Sequence, residues 1–94
     1  MAHTFGEEKF TVARIAITND YTVDVYMKHY YVSESGIELL VSDTMCEVLE
    51  PGADLSGDEW YCTDEVRAIC AQQWDAESIA EWNAMTEEKK NSYR

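Results

Sequence analysis

Residues 10–32, FTVARIAITNDYTVDVYMKHYYV, hold two runs of alternating side chains joined by a turn. In the first, FTVARIAIT (10–18), strict period-two alternation places Ala13, Ile15 and Ile17 on one face and Phe10, Val12, Arg14 and Ala16 on the other, with the β-branched residues a strand favours. Asn19 and Asp20 form turns because their short side chains bond their own backbone. Beyond them Tyr21, Val23, Val25 and Met27 alternate with Thr22, Asp24, Tyr26 and Lys28, so the segment reads as a β-hairpin whose second strand runs to Tyr31 or Val32.

The rest of the chain is organised around that hairpin. Ser33, Glu34, Ser35 and Gly36 turn the chain into a third, antiparallel strand in which Ile37, Leu39 and Val41 alternate. Thr44–Glu50 is compatible with a short fourth strand or one helical turn, because seven residues cannot separate the two periods. Pro51, Gly52, Ser56 and Gly57 mark a loop, after which the period changes. Thr63 is placed to cap a helix carrying Asp64 and Glu65 in its first turn and Val66, Ile69, Cys70, Gln73 and Trp74 along one face. Asp75 caps a second helix or continues the first, with Ala76, Ile79, Ala80 and Trp82 as its buried side, and Thr86–Lys90 starts a last short turn. Strands followed by helices predict an α+β fold. The expected architecture is a three- to four-stranded antiparallel sheet with two C-terminal helices on one face. It forms one domain over residues 1–94: a strand half at about 9–50, a loop at 51–62 and a helical half at 63–90.

Ninety-four residues with 46% hydrophobic and 12% aromatic content can bury one modest core, and no apolar run approaches the roughly 18 residues a membrane span needs. The N-terminus MAHTFGEEKF has neither a basic leader nor an apolar signal core, so a cytoplasmic location is expected. Cys46, Cys62 and Cys70 form no CxxC pair and lie far in sequence from His3 and His29, which argues against zinc and for reduced, packed thiols. Asp54, Asp58 and Glu59 near Gly57 do not follow the calcium-loop spacing. His29 with a cysteine or carboxylate is the sole candidate acid–base pair, and no GxSxG, P-loop, GxGxxG or HExxH motif is present. The expectation is therefore a protein without cofactor, metal or enzymatic activity.

Charge is the distinctive property, with a formal net of −12. Residues 1–28 and 67–94 each sum to −1, whereas between Lys28 and Arg67 stand ten acids and no Lys or Arg. These are Glu34, Glu38, Asp43, Glu47, Glu50, Asp54, Asp58, Glu59, Asp64 and Glu65. Ten carboxylates without internal counter-ions raise a negative potential whose self-repulsion costs stability, an arrangement suited to steering toward a basic partner. Duplex DNA carries one charge per roughly 1.7 Å of axis, so ten carboxylates match about 17 Å of duplex. The sign of the charge makes nucleic acid the least expected direct ligand, and no direct nucleic-acid binding is expected. Trp60 and Tyr61 lie inside the tract, where an aromatic anchor among carboxylates has the make-up of a binding hot spot. Tyr26, His29, Tyr30 and Tyr31 read as cross-strand packing or as an interface patch with only Lys28 basic nearby.

In its size, acidity and aromatic content, and in the tract of residues 34–65, the chain resembles the small phage-encoded inhibitors that act as DNA mimics, the anti-CRISPR and anti-restriction class. The resemblance is one of composition; no motif permits transfer of individual residues. It implies an inhibitor in the host cytoplasm that occupies the basic nucleic-acid-binding surface of a nuclease or CRISPR effector. Two other readings compete. In one, negative charge serves solubility alone and the protein binds a partner, or a second copy as a homodimer, through its aromatic and apolar surface. In the other, the charge reflects a halophilic origin, against which stand the clustering of the acids and the excess of twelve Glu over seven Asp.

Overall fold

The computed structural model describes residues 7–42 and 46–94; His3, Asp43 and the start of the Thr44–Glu50 segment lie outside the described residues. Four strands, β1 (Glu7–Ala16), β2 (Val23–Val32), β3 (Glu38–Ser42) and β4 (Cys46–Leu49), precede three helices, α1 (Asp64–Gln73), α2 (Ala76–Ala84) and α3 (Glu87–Asn91). The fold is α+β with an antiparallel sheet. β2 is central: β1 covers one edge over its length, while β3 and β4 lie end to end along the other, β3 on Val32–His29 and β4 on Tyr26–Val23. The undecided fourth segment is thus a strand that continues the line of the third.

A bulge between Val12 and Arg14 overturns the simple alternation expected for β1. Ala13 has no partner on β2, so Val12 opposite Met27 and Ile15 opposite Val25 face the same side, and both pack on the core. Without the extra residue a spacing of three would send them to opposite faces. The helices cover this side. Val23, Val25 and Leu49 from the sheet meet Val66, Cys70 and Trp74 from α1 and its end, with Ile69, Ile79, Trp60 and Tyr61 packed around them. Trp82 is buried as expected of α2, but Ala76 and Ala80 are exposed, because Ile79 and Trp82 already fill the narrow stripe a nine-residue helix presents.

The helix starts agree with the sequence chemistry. Thr63, Asp75 and Thr86 each accept from the backbone N–H three residues on, at Val66, Ser78 and Lys89. The segment after Thr86 is a helix of five residues, one more than the two helices expected. Thr63→Ala should cost about 1 kcal/mol, read as a lower urea midpoint at unchanged slope, because the Val66 N–H loses its acceptor.

The C-terminus is strapped to the hairpin turn. Asn19 Oδ1 accepts from the Tyr21 and Thr22 amides, and the Asn19 amide and the buried Thr22 hydroxyl both donate to the Tyr93 carbonyl. The rings of Tyr21, Trp82 and Tyr93 gather beside this knot, and the Trp74 indole N–H donates to the Tyr21 carbonyl.

Only the half of the sheet under the helices belongs to this packed head. The radius of gyration is 16.5 Å, against about 12 Å for a compact domain of this length, and the extents are 54 × 26 × 19 Å. The remainder, formed by β1 up to Arg14, β2 from Tyr26, the Ser33–Ile37 turn and β3, projects as a β-arm rooted in the head by Val12 and the buried Met27. Gly36 has φ +85° in its turn, a conformation that side-chain-bearing residues rarely adopt. The alternation expected to bury one face of the third strand buries nothing: Leu39, Leu40 and Val41 are all exposed, because no helix reaches β3.

Candidate partner-binding surface

Folding divides the ten-acid tract. Glu34 and Glu38 travel with the arm, on the turn and on β3, and are separated from the tract's later acids. Glu47 on β4, and Glu50 and Asp54 just after it, converge with Tyr61 around a recess of about 390 Å³, also lined by Trp82 and Lys90. Asp58, Glu59 and Glu65 are exposed beside it in sequence, and Glu59 and Glu47 act on the Tyr61 hydroxyl, whose pKa is raised by burial first and by these two carboxylates after it. Tyr61 and Trp60 meet edge to face at 5.4 Å and are half-buried against the core, with Tyr61 turned toward the carboxylates of the recess.

The tract holds no base of its own, but two of its acids are paired by bases from elsewhere in the chain. Asp64 pairs with Arg67 at 3.1 Å across one helical turn, and Arg67 also donates to the Leu55 and Gly57 carbonyls, fixing the loop that carries Asp58 and Glu59. Glu50 pairs with Arg94, which reaches Glu87 at 3.2 Å as well. Both bases lie outside the tract: Arg67 borders it one helical turn from Asp64, and Arg94 returns to it only in three dimensions. Asp54 keeps a depressed pKa because the Ser56 hydroxyl and amide donate to its carboxylate.

A second acidic recess, of about 420 Å³, went unseen in the sequence. Asp20 from the hairpin turn meets Asp75, Glu77 and Glu81 from the start of α2, with no base among its lining residues. Tyr21 donates to Glu81 at 3.0 Å, and that bond is the main reason its own pKa rises. Residues 67–94 sum to −1, which hid this group; the signal was the one-turn spacing of Glu77 and Glu81, with no base between Arg67 and Lys89.

Charge is segregated along the molecule. The arm residues 7–14 and 26–42 carry four acids (Glu7, Glu8, Glu34, Glu38) and three bases (Lys9, Arg14, Lys28). The other described residues, 15–25 and 46–94, carry fourteen acids and four bases, a net of −10. Of those four bases, Arg67, Lys90 and Arg94 are in ion pairs.

The arm aromatics are explained by cross-strand packing. Phe10 stacks on His29 at 4.5 Å, His29 meets Tyr31 at 5.5 Å, and the Arg14 guanidinium lies 3.9 Å from the Tyr26 ring centre. Lys28 was expected to be the only nearby base, but the register also brings Lys9 opposite Tyr30 and Arg14 opposite Tyr26. His29 Nε2 lies 2.6 Å from Glu8 Oε1 yet off the line of a hydrogen bond, so their interaction is ionic and present only when the imidazole is protonated.

None of the three thiols is activated. Burial raises Cys70 to about 11, and burial raises Cys62 and Cys46 too, with Glu59 and Asp24 adding in the same direction. Among the described residues no group of three or more His, Cys, Asp or Glu could hold a metal ion, and no helix is long and apolar enough to cross a membrane.

The Arg94 strap carries a pH signature. Hydrogen bonding and the charge of Arg94 hold Glu87 below the usual carboxylate range, so its contribution is complete above that range and is lost as pH falls through the depressed value. The stability difference between wild type and Arg94→Ala, measured by urea unfolding, should therefore be largest at neutral pH and close toward zero on acidification below about pH 4.

No family model, curated protein or solved structure matches the chain.

Proposed function

We propose that this protein is an acidic inhibitor whose head occupies a basic, nucleic-acid-binding surface of a partner such as a nuclease or RNA-guided effector. The observation that carries the reading is the net −10 gathered on the described residues of the head while the arm stays near neutrality. A charge needed for solubility alone gains nothing from such segregation, since both signs interspersed over the whole surface serve that purpose. Segregated carboxylates orient the encounter and speed it, at a cost in self-repulsion that a basic partner would relieve.

Within the head, the surface around Tyr61 suits this role best. It sets Glu47, Glu50, Asp54 and Glu59 about a half-buried aromatic pair, and Arg67 holds the adjoining loop through two carbonyls. Rigid carboxylates on a packed support lose little entropy on binding, as phosphate mimicry requires.

The test is capture from a cell lysate on immobilised protein, followed by elution with either salt or a short DNA duplex. Mimicry requires that a nucleic-acid-binding protein be retained and that duplex release it at an ionic strength where buffer alone does not. A captured protein indifferent to duplex would remove nucleic-acid mimicry, and no salt-sensitive capture at all would remove the inhibitor reading.

A further inference from the structure

The two edges of the sheet are protected unequally. β1 is a free edge of ten residues that carries Glu7, Glu8, Lys9 and Arg14, charges that discourage strand addition; each edge strand has one bulge, at Ala13 in β1 and at Val41 in β3, so charge is what distinguishes them. β3, at the opposite edge, has the sequence ELLVS with one charge, and among the described residues no strand covers its outer side. Its apolar side chains are wet on both faces: Leu39 is 50% exposed, Leu40 52% and Val41 50%, with Ile37 just before them at 69%.

We propose that β3 pairs edge to edge with β3 of a second copy, antiparallel across a two-fold axis at Leu40, joining the two sheets into one. Three features select a second copy as the occupant. Centred on Leu40, the sequence is self-complementary once the bulge at Val41 straightens: Leu39 stands opposite Val41, Leu40 opposite itself, and Glu38 opposite the uncharged Ser42, so no like charges face each other. The antiparallel sense sends each head beyond the tip of the other's arm, because Glu38 lies at the tip end of β2 and Ser42 toward the head. The heads, each at −10 over their described residues, are thus held at opposite ends of the dimer, well beyond a screening length of about 8 Å. A two-fold contact also closes, using up the exposed edge without growing into a fibre. The inference is independent of what the head binds.

One short strand makes a small interface, so a dissociation constant between roughly 1 µM and 1 mM is expected. Sedimentation equilibrium across that range should take the mass from 10.8 kDa to twice that value, with less than about a threefold change in affinity between low and high salt. Leu40→Lys should remain monomeric throughout with an unchanged circular dichroism spectrum, whereas Asp54→Lys/Asp58→Lys/Glu59→Lys should dimerise as wild type does. A second probe does not depend on tolerance of the lysine. In a Cys46→Ser background, Leu40→Cys should oxidise to a covalent dimer, since facing strand residues lie within disulfide reach, and Ile17→Cys, exposed on the head, should not. A wild type that stays monomeric up to about 1 mM, a Leu40→Lys dimer of unchanged affinity, or cross-linking at Ile17 in place of Leu40 would each overturn the proposal.

Discussion

Trp74→Ala is expected to leave the head barely folded. The side chain is buried where α1 meets the sheet, in one cluster with Val23, Val25, Leu49, Val66 and Cys70, and its indole N–H satisfies the Tyr21 carbonyl. Truncating a buried Trp costs about 3–5 kcal/mol, and the Tyr21 carbonyl then lacks its donor in a partly buried place. A chain of this length has a total stability of roughly 5–14 kcal/mol, so one substitution removes a large part of it. The melting temperature should fall by at least about 12 °C. Ile37→Ala, at the exposed end of the arm, should change stability by no more than about 0.5 kcal/mol. A Trp74→Ala protein that melts like wild type would mean that the helices are not seated on the sheet as described.

The second large effect concerns binding. Reversing Asp54, Asp58, Glu59, Asp64 and Glu65 to Lys takes the formal net charge from −12 to −2. Capture of a basic partner should fall by about two orders of magnitude or more at physiological salt, since close charge pairs at such interfaces couple by about 1.5–7 kcal/mol. Folding should survive, because among these five only Asp64 is ion-paired, in an exposed pair of small worth. The structure adds a comparison that locates the contact. Glu77→Lys/Glu81→Lys reverses charge in the other acidic recess while leaving the Asp75 cap in place. Loss of capture in the first variant alone puts the partner at the Tyr61 surface, and loss in the second alone puts it beside α2. Equal capture by wild type and both variants would leave the charge without a role in binding.

Much of the fold was legible locally because it is encoded locally. The hairpin followed from period-two runs around Asn19 and Asp20, and the helix starts from Thr63, Asp75 and Thr86, each of which satisfies an amide within its own turn. The acidic tract is likewise a property of residues adjacent in the chain. The sequence by itself therefore determined the fold class, the order of the elements and the excess of negative charge. The tertiary structure alone decided which faces those elements use and which charges meet. The bulge at Ala13 turned Val12 and Ile15 to the same side, Arg94 crossed from the last residue to Glu50, and Asp20 joined the α2 acids from a distant turn. Register, ion pairing and electrostatic potential depend on distance in space, which the packing of the helices on half of the sheet sets. That same partial cover left β3 bare, although its alternation reads like that of a buried strand.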